Sequence, residues 1–324
     1  MSQAIVIQDS GGPEVLKLAE IDVPAPGPGQ LRLRQTAIGV NFIDTYHRSG
    51  LYPVPRPFTP GLEAVGTVTA LGPGVDGFKV GDRVAYGNGP LGAYAAERVI
   101  PAASVVKVPA ALKDEQVAGM MLRGLTVWYL IRSLHRLQKG ETVLFHAAAG
   151  GVGLLFCQWA RDLGATVIGT VGSADKAALA TKAGCHHVIL YRQEDWVKKV
   201  REITGGAGVR VVYDGVGKDT FFGSLDCLAP RGLMCSFGNA SGPPPPVEAG
   251  VLAAKGSLFF TRPRLNDYVG NPKDMTLGCE ELFAAVARGA ITVDVGQAYP
   301  LAAAAEAHRA LEGRGTVGST ILKA

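Results

Sequence analysis

The 324 residues are enough for two domains with a sizeable buried core. A hydrophobic share of 47% against 19% charged residues is that of a folded globular chain and excludes intrinsic disorder. The formal net charge of +4 is spread along the chain without a Lys/Arg block, which argues against a nucleic-acid platform and mildly favours small anionic ligands. No apolar run approaches the roughly 18 residues of a membrane span, and the opening MSQAIVIQDSGGP has neither the basic nor the apolar region of a signal peptide. Cys157, Cys185, Cys227, Cys235 and Cys279 form no C-x-x-C pair and lie near no histidine at ligand spacing. The chain therefore reads as reduced, cytoplasmic and without a structural metal.

Residues 1–118 are punctuated by Gly and Pro, as in Pro24-Ala25-Pro26-Gly27-Pro28-Gly29 and Gly72-Pro73-Gly74. Short strands are predicted at Ala4–Gln8, Leu16–Ile21, Leu31–Ile38, Ala64–Leu71, Arg83–Tyr86 and Ala95–Ile100, with a short helix at Phe42–Arg48. That rhythm predicts an antiparallel, barrel-like β domain. Gln116–Leu134 then carries a helical apolar face and is predicted as one long helix. Strands and helices alternate from Val143 to Thr261, which calls for a parallel sheet covered on both faces, over residues 119–262. Residues 263–324 hold helices at Met275–Arg288 and Ala302–Glu312 and a strand at Ser319–Leu322, and are expected to return to complete the first domain.

The densest signal lies in Val143–Lys176. A strand, Val143–Phe145, runs into Ala148-x-Gly150-x-x-Gly153, then a helical stretch and a second strand, Ala165–Val171. This is the context a dinucleotide fingerprint requires. Ala148 keeps the turn tight, Gly150 lets a pyrophosphate approach the backbone, and Gly153 lets the helix pack closely on the sheet. The helix N-terminus supplies free N–H groups and partial positive charge.

With those residues in place a resemblance emerges. Gly140-Glu141-x-x-Leu144-x-x-x-Ala148-Ala149-Gly150-Gly151-x-Gly153-x-x-x-x-Gln158-x-x-Arg161 resembles the signature of the quinone oxidoreductase and zeta-crystallin branch of the medium-chain dehydrogenase/reductase superfamily. Pro60-Gly61-x-Glu63-x-x-Gly66-x-Val68, Phe78-x-x-Gly81-Asp82-Arg83-Val84, Asn41-Phe42-Ile43-Asp44 and Asp214-Gly215-Val216-Gly217 are similar to other stretches of that superfamily. The resemblance covers essentially the whole chain. It implies a doubly wound Rossmann domain inserted into a partly open, GroES-like β-barrel catalytic domain. Zinc-dependent members place Cys where this chain has Asn41 and His where it has Leu62; neither residue present offers a zinc donor, so a zinc-free enzyme is expected.

Cofactor choice follows from charge. NAD-binding folds place an acid about 20 residues past the glycines, whereas Val171 and Gly172 stand here, followed by Ser173 and Lys176, which can meet a 2′-phosphate. NADPH is expected, with Asp175 read as the cap of the next helix. The resemblance adds Gly151, Val152, Gly217 and Tyr191 to the cofactor contacts, puts Asn41, Thr45 and Tyr129 at the nicotinamide end, and brings in Gly238, Asn239, Ser241 and the late Arg314. Asn239 and Ser241 suit ordinary loop chemistry equally well. Arg262 and Arg264 either line the cofactor mouth or lie on the surface.

Asn41, Tyr46 and Tyr52 are the candidate catalytic residues; either tyrosine is a hydrogen-bond donor to a quinone oxygen or an aromatic wall. The histidines read as structural or solvated. The expected activity is hydride transfer from NADPH to a quinone-like acceptor. Reduction of an enal or enone carbon–carbon double bond is the enzyme alternative, and an NADPH-binding structural or regulatory protein, with an RNA-binding version, is the alternative of another class. A homodimer is expected through the strand Ser257–Thr261.

Overall fold

The computed structural model describes residues 1–313 and 315–324. Its chain divides into two compact units, one formed by 1–126, 269–289 and 293–324, the other by 127–268 and 290–292.

Unit 1 begins with a hairpin-like pair, β1 (Ser2–Val6) and β2 (Lys17–Ile21), aligned antiparallel from Ser2 opposite Ile21 to Val6 opposite Lys17. β3 (Gln30–Val40) follows the Pro/Gly cluster and leads straight into α1 (Phe42–Ser49), whose N-cap is Asn41. Next come β4 (Ala64–Leu71), β5 (Arg83–Tyr86), β6 (Glu97–Pro101) and β7 (Val106–Lys107). Eleven residues long, β3 is the backbone of the sheet. One of its edges pairs with β4, while the first half of the other pairs with β6. Ile5, Ile7, Leu31, Leu33, Ile38, Val40, Val84, Tyr86 and Ile100 fill the core between these elements.

The expected long helix over 116–134 is instead three pieces: α2 (Asp114–Ala118), α3 (Met121–Trp128) and a π-helical stretch, Tyr129–Leu134. The break falls at Gly119, a poor helix former. Its carbonyl is taken by two side chains, Arg123 Nη1 at 3.1 Å and Ser319 Oγ at 2.6 Å. The apolar periodicity reads burial truly; the break at Gly119 is held by Arg123, one turn on, and by Ser319, far along the chain.

Unit 2 alternates β8 (Thr142–His146), α4 (Gly151–Asp162), β9 (Thr166–Val171), α5 (Ala174–Lys182), β10 (His187–Leu190), α6 (Trp196–Ile203), β11 (Val209–Asp214), α7 (Phe221–Cys227), β12 (Leu228–Ser236), α8 (Ala249–Ala254) and β13 (Phe259–Thr261). All six strands are parallel, in the order β10-β9-β8-β11-β12-β13. The chain winds outward one way from β8 and then returns to start the other half at β11. The crevice beyond the C-terminal ends of β8 and β11 is therefore the topological switch point, where doubly wound sheets bind ligands.

The remaining chain forms α9 (Leu265–Val269), α10 (Pro272–Ala287), β14 (Val295–Pro300), α11 (Ala304–Glu312) and β15 (Ser319–Lys323). β15 pairs antiparallel with the second half of β3, and β14 pairs parallel with β15, so the C-terminal segment completes the unit 1 sheet. β7 and β14 escape sequence reading: one is two residues long, and the other has half-buried and exposed residues in alternation without a strong apolar side. Among the described residues no helix is long and apolar enough to cross a membrane.

Candidate dinucleotide site and acceptor-side residues

In unit 2 the predicted turn sits at the switch point. Val143, Leu144 and Phe145 of β8 are fully buried, and the chain then reverses through Ala147, a non-glycine residue at φ 56°, into Gly150, the N-cap of α4. A side chain on Gly153 would put its Cβ 2.5 Å from the Ala147 carbonyl oxygen and 2.6 Å from that of Ala148. Gly153 is thus the residue that lets the helix lie against the strand. At Gly150 a Cβ would meet only the Ala147 oxygen, at 3.1 Å, a tight contact but far looser than those at Gly153. Ala148, Gly151 and Val152 complete the turn and first helical residues.

Beyond β9, Ser173 caps α5, its hydroxyl accepting from the Lys176 backbone N–H at 3.4 Å. This corrects the expected role of Asp175, which lies inside the first turn; the helix starts earlier, and a hydroxyl already supplies the cap. Tyr191 packs over Gly172, whose Cβ would lie 3.1 Å from the tyrosine oxygen. Arg192, not singled out from sequence, places its guanidinium 5.9 Å from the Tyr191 ring centre. Gly172, Ser173, Lys176 and Tyr191 thus gather around one helix N-terminus.

On the other side of the switch point Asp214 ends β11. Its Oδ1 accepts the backbone N–H groups of Val216 (2.8 Å) and Gly217 (3.0 Å), and its Oδ2 the Thr220 hydroxyl at 2.7 Å. Gly217 (φ 92°) and Gly238 come so close to facing backbone that a Cβ on either would fall 2.4 Å from a carbonyl oxygen. Ser241 spends its hydroxyl inside this loop pair, donating to Val216 O at 2.9 Å and accepting from Asp219 N at 3.0 Å. Arg262 donates to Ser236 O at 2.6 Å and, from Nη2, to the amide oxygen of the buried Asn239 at 3.3 Å, while the Asn239 amide N–H donates to Gly238 O. Arg264 is exposed and bonded to Asp267. Tyr129 is buried, its ring stacked 4.6 Å from that of Tyr268.

His146 is a buried ring bridging Thr170 Oγ1 and Ser224 Oγ, each at 2.9 Å, and burial lowers its pKa. It is a structural, neutral histidine. Arg314 lies outside the described residues.

In unit 1 the candidate residues cluster around α1. Thr45 donates its hydroxyl to Phe42 O at 2.7 Å. Tyr46 and Tyr52 meet edge to face at 5.2 Å, with Phe42 and His47 adding to the aromatic group. Asn41 is buried, and its Nδ2 donates to Glu63 Oε2 at 2.6 Å. Below it runs a chain of bonds whose direction is fixed by Arg48, which can only donate. Arg48 Nη1 donates to His308 Nδ1 (3.1 Å), His308 Nε2–H to the Tyr94 oxygen (3.0 Å), and Tyr94 O–H to Asp44 Oδ2 (3.0 Å). Burial lowers His308 to about 3, so it stays neutral. Asp44, Glu63 and Arg123 are the site-adjacent residues that sequence reading did not assign; each acts across a long separation, and only burial of charge marks them.

Neither Asn41 nor Leu62 supplies a thiolate or imidazole donor for zinc. The Asn41 amide is committed to Glu63, Leu62 has no donor, and among the described residues no group of three or more His, Cys, Asp or Glu is placed to hold a metal.

Residues 27–110 match the family described as Alcohol dehydrogenase GroES-like domain, and residues 151–271 the family described as Zinc-binding dehydrogenase. The chain is 50% identical to a quinone oxidoreductase of Pseudomonas aeruginosa over 323 residues, 99% of each protein. It is 49% identical to a 2-haloacrylate reductase of a Burkholderia species over 330 residues, again 99% of each. Its fold superposes on the crystal structure of Escherichia coli quinone oxidoreductase complexed with NADPH with a TM-score of 0.98, at 50% identity, over 99% of this chain and 100% of that one. On sequence, fold and motif together, the chain belongs to the quinone oxidoreductase, zeta-crystallin-like branch of the medium-chain dehydrogenase/reductase superfamily.

Proposed function

We propose that this protein is an NADPH-dependent quinone oxidoreductase that works without zinc. The observation that carries the reading is the glycine turn at the switch point of the unit 2 sheet, followed at the end of β9 by Gly172, Ser173 and Lys176 with no acid in the ribose position. NADPH supplies a hydride at its nicotinamide ring. The turn from Ala148 to Gly153 offers N–H groups to the pyrophosphate. Ser173, Lys176 and Tyr191, with Arg192 beside them, hold the 2′-phosphate; Gly217, Gly238, Asn239 and Ser241 shape the loops on the opposite side, which Arg262 braces. Tyr129 is proposed for the nicotinamide end, as are Asn41 and Thr45 of unit 1. Asn41, Tyr46 and Tyr52 form the acceptor side, where an aromatic wall stacks a flat ring and a phenol O–H, or the second N–H of the Asn41 amide, meets its oxygens.

Lys176→Ala is the test of cofactor choice. Loss of one charged contact to a phosphate is expected to weaken NADPH roughly 10- to 100-fold, leaving NADH unchanged, as read by fluorescence titration with both nucleotides. Equal effects on the two would remove Lys176 from the phosphate site. Rates with 1,4-benzoquinone, 1,2-naphthoquinone and a 2-alkenal test the acceptor. A second reading, hydride transfer to an activated carbon–carbon double bond, is favoured by the 49% identity to a 2-haloacrylate reductase and gains if the alkenal is the faster substrate.

A homodimer is proposed through β13, which ends the unit 2 sheet and carries Phe259 and Phe260, 60% and 36% exposed. A monomer mass by light scattering at micromolar concentration would overturn it. The five buried, free cysteines suit a reducing cytoplasm, which fractionation of the source cells would check.

A further inference from the structure

We infer that Glu63 is a positioning residue for the reaction, acting through Asn41: it fixes which end of the Asn41 amide is presented on the acceptor side. This rests on the functional reading above and extends it to a residue that never touches the acceptor.

Glu63 immediately precedes β4 and is completely buried. Both of its oxygens are used, Oε2 by Asn41 Nδ2 at 2.6 Å and Oε1 by the backbone N–H of Leu122 at 2.9 Å. Burial pushes the Glu63 carboxyl up to about 7, and above that pH the ionised carboxylate has no proton to give. The amide nitrogen of Asn41 must therefore face it, and the amide oxygen must point elsewhere. An asparagine otherwise has two orientations related by a half-turn about its last bond; the carboxylate leaves one. Asp44 holds the same residue from its backbone, accepting Asn41 N–H at 2.8 Å. Asn41 is thereby clamped at main chain and side chain by two carboxyls, on the residue that opens α1 and so directs Thr45 and Tyr46.

The surroundings are shaped for this contact. A Cβ on Gly39 would lie 2.1 Å from Glu63 Oε2 and 2.4 Å from Ala118 O, so only glycine admits the carboxylate there. Arg123 is buried close by, donating to Gly119 O at 3.1 Å and Val40 O at 2.5 Å, and supplies the cation that offsets the buried negative charge. Burying an acid is costly, and a glutamine could satisfy Leu122 and fill the same volume. What glutamine cannot do is exclude the flipped amide, because it both donates and accepts. That difference is the reason to keep an acid at this position.

Four variants of the full chain test the inference: Glu63→Gln, Glu63→Asp, Asn41→Ala and the double variant Glu63→Gln/Asn41→Ala. Steady-state rates with NADPH and 1,4-benzoquinone are measured at about pH 8, above the range in which Glu63 titrates, beside thermal unfolding and NADPH affinity. Misplacement of a positioned group is expected to lower kcat of Glu63→Gln about tenfold or more, with the affinity for NADPH and the folded state retained. The double variant is expected to be no slower than Asn41→Ala, since two residues that act as one are non-additive. Glu63→Asp, still an acceptor only but one methylene shorter, is expected to recover part of kcat, and it replaces Glu63→Gln should that variant unfold. Wild-type kcat in Glu63→Gln, or losses that add in the double variant, would overturn the inference. A wild-type protein that binds NADPH and reduces no quinone would instead overturn the functional reading.

Discussion

Gly153→Val is expected to abolish measurable NADPH binding. The valine Cβ would sit 2.5 Å from Ala147 O, 2.6 Å from Ala148 O and 2.7 Å from the Ala148 carbonyl carbon. All three are backbone atoms of the turn itself, and Ala147 is already held at φ 56°, so the turn cannot yield without opening. Overpacking of this kind costs about 1–3 kcal/mol or more of stability, and the N–H groups proposed to meet the pyrophosphate move with the turn. A loss in affinity of at least about 100-fold is expected from groups displaced by an ångström. Gly150→Ala is the milder change: its Cβ would meet one carbonyl oxygen at 3.1 Å, so a smaller loss of stability and of affinity is expected. Calorimetric titration with NADPH, beside urea unfolding of each variant, checks both. Wild-type affinity in Gly153→Val would remove this turn from the cofactor site.

Stability is expected to fall as pH rises from about 5 to about 8, against the usual trend for carboxylates. Burial, the dominant cause, pushes Asp44 up to about 7 from 3.8 and Glu63 up to about 7 from 4.5. Arg123 and the bonds from Asn41 oppose the shift at both, joined by Tyr94 at Asp44 and by the Leu122 and Met121 backbone at Glu63; the like charge of Glu63 adds to it at Asp44. Between the unfolded and folded values the native state holds protons that the unfolded chain has released. The stabilisation is complete below the unfolded pKa values and is lost as pH climbs through the folded ones, on the order of 3–4 kcal/mol per carboxyl. Asp82 and Glu97, lowered by their hydrogen bonds to Lys107 and to Arg32 and Arg34, act in the opposite sense at lower pH, but both are at the surface. Urea midpoints across the range should decline in the native protein, and Glu63→Gln and Asp44→Asn should each flatten the slope. An unchanged slope in both variants would place the titration elsewhere.

The glycine turn of unit 2 was legible because its requirements are local. A tight turn between a buried strand and a helix demands small residues at fixed offsets, and Ala148, Gly150 and Gly153 meet that demand within six positions. The same is true of Gly172, Ser173 and Lys176, where the missing acid is read directly. Reading faltered where two local signals were equally good. Asp175 and Ser173 both suit a helix cap, and only the start of α5 chose between them. Apolar spacing from Gln116 to Leu134 suits one helix, but Ser319, about 200 residues away, helps to take the carbonyl at which it breaks.

The residues alone were enough for the class of fold, the tight glycine turn after β8, the absence of an acid from Val171 to Ser173 and the lack of zinc donors at Asn41 and Leu62. Each depends on backbone freedom or side-chain chemistry within a few neighbouring residues. The tertiary structure alone decided how Asn41 is held, because its partner Glu63 is 22 positions away, and Tyr94, His308 and Arg48 reach Asp44 through bonds spanning 50, 214 and 260 positions. Buried charges carry no periodic signature; they are chosen by the cavity that folding closes around them, and that cavity exists only once β3, α1, β4 and α3 have packed together.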